Sequence, residues 1–357
     1  MKLSDCNVKF SSIVEIAELV QKIESETDRR FLKLHRGVID VTTIDMNWIK
    51  SNLDLNTKAL QHYSPNDGNQ KLIETIKTKF YLQKHNVLIT PGGMAALDLI
   101  ISSLADNQTF WLPTYHWGSW NKIIQLQNKK IESFDDFNLN SFNPSEGVVM
   151  LCFPSNPTGY QPELSVIKEF ILKCKKNNVT IVLDMPYFYL FNEFNTDISD
   201  LIQDNVIVSC SFSKSVGLSG YRIGYVATTN KELYSHLRIR SLYKYNSIST
   251  VAQQIILNLL TSGTTQIEQY KKETLKHIKK NIDFLLENNL LFDSYTNTPV
   301  GPFAIIKCDY DTLMKNNISS VPLNKFVMKP TNEDNKLSRI SVAVSSEGFI
   351  NGMAKII

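Results

Sequence analysis

The stretch SCSFSKSVGLSGYRIGYV, residues 209–226, sets one lysine, Lys214, among serines and glycines, with Arg222 eight residues on. An amine in a partly desolvated, positively charged pocket has a lowered pKa and can attack an aldehyde. The hydroxyls of Ser211 and Ser213 and the Arg222 guanidinium suit a phosphate. A molecule carrying both an aldehyde and a phosphate would account for the whole stretch. Three other clusters have residue types suited to the same kind of site. TPGGMAALDLI (90–100) puts Gly92 and Gly93 between a strand and a helix, whose free N–H groups could donate to a phosphate. It is neither GxGxxG nor GxxxxGK[ST], which counts against a dinucleotide or P-loop site. CFPSNPTGY (152–160) ends a strand with Asn156, which reads equally as a turn residue or as an amide aimed at an anionic oxygen. IVLDMPYFYL (181–190) ends an apolar strand with Asp184, and Tyr187 follows three residues later. A buried carboxylate needs a partner, either a cation of the fold or a protonated ring nitrogen of a bound molecule.

These clusters have to be positioned by regular elements. SSIVEIAELVQKIESE has helical spacing after serines that could cap it. From residue 67 onward the patterns alternate. NQKLIETIKTKFYL, GMAALDLIISSLA and PELSVIKEFILKCKKN predict helices; NVLIT, TFWLP, GVVMLCFP, VTIVLDM, NVIVSCSF and RIGYVAT predict strands. Such alternation predicts a mostly parallel sheet covered by helices on both faces, with functional residues at strand C-termini. A long helical stretch, about 230–288 with a break near SGTT, follows, and the C-terminal segment reads as a smaller α+β unit. The expected architecture is α/β: a three-layer α/β/α large domain over 46–284, and a smaller α+β domain from 1–45 and 285–357.

Composition narrows the function classes. A hydrophobic content of 43% over 357 residues is ordinary for a globular chain, and a net charge of +3 argues for neither nucleic acid nor an anionic membrane. The lysine-rich run EQYKKETLKHIKKNIDF reads as a solvated helix face. No apolar run is long enough to span a bilayer, and MKLSDCNVKFSS lacks the apolar core of a signal peptide. The five cysteines form no metal-ligand spacing, and Cys152 and Cys210 fall in apolar strands as small hydrophobes. The expectation is a cytoplasmic chain without structural disulfides or a metal.

Taken in order and spacing, GGMAAL, SNPTG, DMPYF and SFSKSVGLSGYRIGY resemble the fold-type I pyridoxal-phosphate enzymes, and more narrowly the class I/II aminotransferases related to aspartate aminotransferase. The resemblance runs from about residue 30 to the C-terminal end. It implies pyridoxal 5'-phosphate as cofactor, with Lys214 forming its internal aldimine and then shuttling a proton. Asp184 would keep the pyridine nitrogen protonated, while Asn156 and Tyr187 would bond the phenolic oxygen. Gly93 and Met94 backbone groups, Ser211, Arg222 and, more weakly, Ser213 would hold the phosphate. LPTYHWGSWNKI offers Tyr115, Trp117 and Trp120 as the aromatic that stacks on the ring: WGSWNKI resembles the family's tryptophan run and favours Trp117, whereas counting from Pro113 favours Tyr115.

HYSPNDGNQKL resembles a run whose tyrosine reaches a neighbouring subunit's phosphate, which implies a homodimer with Tyr63 contributed across its interface. SRISVAVSS resembles the strand whose arginine forks the substrate α-carboxylate, and an arginine opening an apolar strand suits that contact, making Arg339 the candidate. LHRGVIDV departs from the family's Gly-x-Gly: Ile39 replaces the second glycine, with His35 and Arg36 nearby, so the substrate pocket is altered there. Arg240 and Lys244 fall near, but not on, the position that reads a side-chain carboxylate, so aspartate specificity does not follow. The expected activity is ping-pong transfer of an amino group between an amino acid and a 2-oxo acid. The alternatives on the same apparatus are a β-lyase, decarboxylase or oxidase outcome, or a histidinol-phosphate aminotransferase-like enzyme.

Overall fold

The structure is a computed structural model that describes residues 8–135, 137–191 and 201–357; of the cysteines, Cys6 lies outside these. Its centre is a seven-stranded sheet whose order is Asn86–Thr90, Gly224–Thr228, Val206–Ser211, Thr180–Met185, Val148–Cys152, Thr109–Pro113 and Lys130–Phe134. Gly224–Thr228 runs antiparallel to both neighbours, and the remaining pairings are parallel. Strands buried on both faces read as continuous apolar runs, as VVMLC does here, with all five residues buried.

Strand parity divides the sheet into two faces. Val149, Leu151, Leu183, Val208 and Cys210 pack toward the helices Gln70–Lys79, Leu164–Lys176 and Thr250–Thr261. Val148, Met150, Cys152, Val182 and Ile207 pack on the other side with Gly93–Ser103, Gly118–Leu126 and Lys231–Tyr245. This is the expected three-layer arrangement, in which each fully buried leucine or isoleucine contributes about 1.5–3 kcal/mol. Asn69, Asn230 and Ser249 start three of these helices, each side-chain oxygen accepting from a backbone N–H three residues on.

The C-terminal segment forms an antiparallel sheet in the order Val321–Pro322, Ser338–Ser341, Phe303–Ile306, packed with Thr264–Glu287 and Ser346–Met353. A parallel pair, Leu32–Lys33 with Ile318–Ser319, ties the N-terminal region to it. The first helix, Ser12–Glu26, buries Ile16 and Val20 against Val321, Leu323 and Phe326.

Two elements differ from the sequence expectation. The stretch read as one helical region with a single break is three helices, Lys231–Tyr245, Thr250–Thr261 and Thr264–Glu287. The additional break falls at Asn246, whose φ of 59° a helix cannot hold. The edge strand Lys130–Phe134, sequence KIESF, was not anticipated, because its charged residues mask the strand pattern; such charges also keep an edge from pairing with another chain.

Candidate active site

Strand register builds the floor of the site. Cys152 pairs with Asp184, and Asp184 with Ser209, so the three side chains stand in a row on one face at the strands' C-terminal ends. Asp184 is only 4% exposed. Its Oδ1 accepts from the Ser209 hydroxyl at 3.0 Å and its Oδ2 from the Trp120 indole N–H at 3.2 Å. Burial pushes its carboxyl up to about 7, against the opposing pull of those two hydrogen bonds. Among the described residues Asp184 has no ion-pair partner, so a cationic atom placed over it would be strongly favoured.

Two residues beyond Ser209 on the same face, Ser211 caps the single turn Phe212–Ser215, its hydroxyl accepting from the Ser213 N–H at 3.2 Å. Lys214 lies in that turn and is half-buried. Burial, and then the charges of Arg222 and Arg339, lower its ammonium to about 8. The same cavity therefore holds an amine that sheds its proton close to neutral pH and a carboxylate that is easily kept protonated or paired.

The second wall comes from the glycine turn. Gly92 has φ 88° and ψ 174°, open to glycine alone, and caps the helix Gly93–Ser103. A Cβ on Gly92 would lie 2.7 Å from Arg222 Nη2, and one on Gly93 would lie 3.2 Å from Ser211 Cβ. The helix start thus sits directly on the serine and the guanidinium. Arg222 lies two residues before the strand Gly224–Thr228 rather than opening it, in the left-handed region at φ 54°. Its Nη1 donates to the Ser219 carbonyl at 3.0 Å and to Ser213 Oγ at 3.3 Å. Unpaired helix N–H groups, two serines and a fixed guanidinium make a phosphate cradle.

A cavity of about 180 Å³ joins these pieces, lined among others by Gly93, Met94, Trp117, Asn156, Tyr187 and Lys214. Asn156 is buried and lines the same cavity as Tyr187, and its Oδ1 has no partner among the described residues. Burial raises the Tyr187 hydroxyl well above its ordinary value, so it remains a neutral donor. Of the three aromatics offered, Trp117 and Trp120 line the cavity, and the Trp120 indole N–H is engaged by Asp184. Tyr115 points elsewhere: its hydroxyl donates to Asp334 at 3.3 Å and its ring meets Phe292 edge-on.

Arg339 is fully buried, the second residue of the strand Ser338–Ser341. Its Nη2 donates to the His35 carbonyl at 2.6 Å, and its guanidinium lies 4.4 Å from the Phe303 ring centroid and 5.2 Å from that of Phe326. Nε and Nη1 have no partner among the described residues, and burial lowers the group to about 10. A desolvated guanidinium with two free donors is matched by a carboxylate or phosphate.

Arg339 is not itself among the residues lining that cavity, and other expected residues also fall outside the lining. Gly92 supports the cradle from behind; Ile39 packs into the hydrophobic core between the sheet and the C-terminal unit. Tyr63 is 83% exposed. Arg240 and Lys244 border a separate surface cavity, and Lys244 pairs with Asp98. Burial, with Arg36 and Arg339 nearby, pulls His35 down to about 4, so it is neutral; its Nδ1 lies 2.6 Å from Ser319 Oγ. The sequence reading did not foresee Ser209 and Trp120 as partners of Asp184, nor Phe303 and Phe326 as the walls around Arg339. A serine on an apolar strand two residues before Ser211 was the signal for the first; the others meet only through tertiary packing.

The profile of the family described as aminotransferase class I and II matches residues 31–292. A probable aspartate aminotransferase of Methanocaldococcus jannaschii is 28% identical over 265 residues, 68% of this chain and 69% of that protein. A histidinol-phosphate aminotransferase of Francisella philomiragia is 23% identical over 348 residues, covering 92% of this chain and 90% of its own. Among solved structures, Thermus thermophilus aspartate aminotransferase with maleate superimposes with a TM-score of 0.83 at 18% identity, covering 100% of both chains. With the family matched over most of its length and the fold over all of it, this chain belongs to the class I and II aminotransferases and is a transferase of that family.

Proposed function

We propose that the chain moves an amino group between an amino acid and a 2-oxo acid in two successive half-reactions, using pyridoxal 5'-phosphate. One observation carries this: a single cavity brings together the lowered amine of Lys214, the cation-free carboxylate of Asp184 and a phosphate cradle. The residues fit the cofactor. Asp184 would face its ring nitrogen, Asn156 and Tyr187 its phenolic oxygen, and Trp117 its ring face. Gly93 and Met94 N–H groups, Ser211, Ser213 and Arg222 would hold its phosphate. When bound, the cofactor supplies an electron sink for the pair left as a bond to the substrate's α-carbon breaks.

The rest is the work of this chain's own side chains. Lys214 Nζ, its ammonium lowered to about 8 by burial and the neighbouring guanidinium groups, would supply the amine toward the cofactor's aldehyde and would hold the proton taken from the substrate's α-carbon. Arg339 orients the amino acid through the α-carboxylate, using the two donors left free by the fold. Asp184 stays paired with a proton, because an isolated charge at its depth is costly. Absorption spectroscopy of the purified protein tests the proposal. A visible band that an amino acid bleaches and a 2-oxo acid restores is expected, and Lys214→Ala should lack both band and turnover. Restored turnover in that variant, or ammonia, carbon dioxide or peroxide as the product, would overturn it.

The homodimer belongs to the same proposal. Tyr63 is too exposed to serve its own cavity, and a phenol supplied to a neighbouring subunit's phosphate would give it a role.

A further inference from the structure

A second cavity, of about 440 Å³, adjoins the first and shares Met94 and Trp117 with it. It lies between residues 8–13, the helix Gly118–Leu126 and the segment 321–326. Its walls are apolar, with Phe10, Ile13, Ile123 and Phe326 among them. Phe326 also lies against the Arg339 guanidinium, and Val321 is the strand partner of Arg339, so two of the residues lining this cavity neighbour Arg339. Three lysines, Lys9, Lys122 and Lys325, line it, and none has an ion-pair partner among the described residues. The lining contains no carboxylate among the described residues to balance them.

We propose that this annex receives the substrate's side chain and selects a long apolar or aromatic one that ends in an anion. The assignment rests on the function proposed above for the neighbouring cavity. An amino acid held at Lys214 and by its α-carboxylate at Arg339 has Met94, Trp117 and Phe326 as its way out toward the annex. Apolar walls reward a ring or an alkyl stem. Unneutralised lysines reward a carboxylate or a phosphate at the tip, and they disfavour a cationic side chain.

Turnover of L-phenylalanine, 4-carboxy-L-phenylalanine, O-phospho-L-tyrosine and L-alanine by the loaded enzyme separates the possibilities. At least one anionic aromatic should exceed L-phenylalanine in kcat/KM by roughly tenfold or more, and the better of the two identifies carboxylate or phosphate. Lys122→Gln and Lys325→Gln should lower kcat/KM for the anionic aromatics by a larger factor than for L-phenylalanine, so that the preference shrinks. Calorimetry with 3-(4-carboxyphenyl)propanoate and 3-phenylpropanoate, which carry no amine, reads the annex independently of turnover. Tighter binding of the first, lost in Lys122→Gln, is expected. Equal handling of charged and uncharged side chains, or a preference for L-alanine, would overturn the annex assignment while the visible band stands. Absence of the band would instead overturn the cofactor reading, and the amine-free acids would still decide the annex.

Discussion

At the scale of residues, the site holds charges that the fold itself leaves uncompensated. Asp184 is the clearest case. Its folded value of about 7 lies above the ordinary 3.8, so between those two pH values the folded chain binds more protons than the unfolded one. The group's contribution to stability therefore falls as pH rises through that window, by about 1.4 kcal/mol per pH unit, and levels off above it. Thermal denaturation of the cofactor-free protein should show this loss between pH 4 and 7 relative to Asp184→Asn, and a constant difference between the two would refute it. Trp120→Phe keeps an aromatic side chain, smaller than the indole, and removes the N–H that donates to Oδ2. A hydrogen bond to a charged group is worth about 1.5–3 kcal/mol, so Asp184 should titrate at least about one unit higher and the ring nitrogen should be held less firmly. Cofactor titrations across pH would read that shift. Lys214, Asp184, Asn156, Arg222 and Arg339 could be singled out because each is a polar or charged residue at or beside the boundary of an apolar strand run, but Asn156 read equally as a turn residue, and the separate roles came from the family resemblance. Phe303 was not legible, because an aromatic in an apolar run looks the same whether it fills the core or touches a charge, and Trp120 was readable as a site aromatic but not as the donor to Asp184.

At the scale of elements, each strand delivers its side chain to one end of the sheet, and the turns that follow decide what those side chains meet. The strands of the main sheet were readable as apolar β-branched runs, apart from Lys130–Phe134, whose charges suit an edge and hide the pattern. The break at Asn246 was hidden because YKYNS carries neither glycine nor proline, and the helix ends on an asparagine in the left-handed region. The glycine turn was visible as a turn, but its tightness was not. Gly92→Ala forces a φ of 88° on an L-residue, costing about 1–3 kcal/mol, and drives a methyl toward an Arg222 guanidinium already held by Ser213 and Ser219. Phosphate-bearing cofactor should bind roughly tenfold or more weakly, in equilibrium titrations, with the fold retained. Gly348→Ala is the matching control, since a Cβ there meets nothing within 4 Å. Its cofactor affinity should equal that of the parent protein.

At the scale of the whole molecule, one chain supplies every proposed contact to the cofactor except the one expected of Tyr63. No periodicity or burial pattern could announce a residue whose proposed role would lie on another subunit, and only resemblance pointed to it. An aromatic side chain 83% exposed in a loop is unremarkable alone, so the test must separate a surface tyrosine from one that completes a neighbour's site. Lys214→Ala removes the nucleophile from its own cavity, whereas Tyr63→Ala should remove a phosphate contact from the partner's cavity. In a mixed dimer of the two variants, one cavity would pair an intact Lys214 with an intact Tyr63, and the other would lack both. Random reassortment of equal amounts should therefore restore about a quarter of the sites to full cofactor affinity. The measurement is cofactor affinity and turnover before and after the variants are co-refolded, with sedimentation to establish the dimer. Recovery in the mixture would place Tyr63 across the interface. A mixture no better than the average of its two components would return Tyr63 to its own chain's surface and remove the shared site.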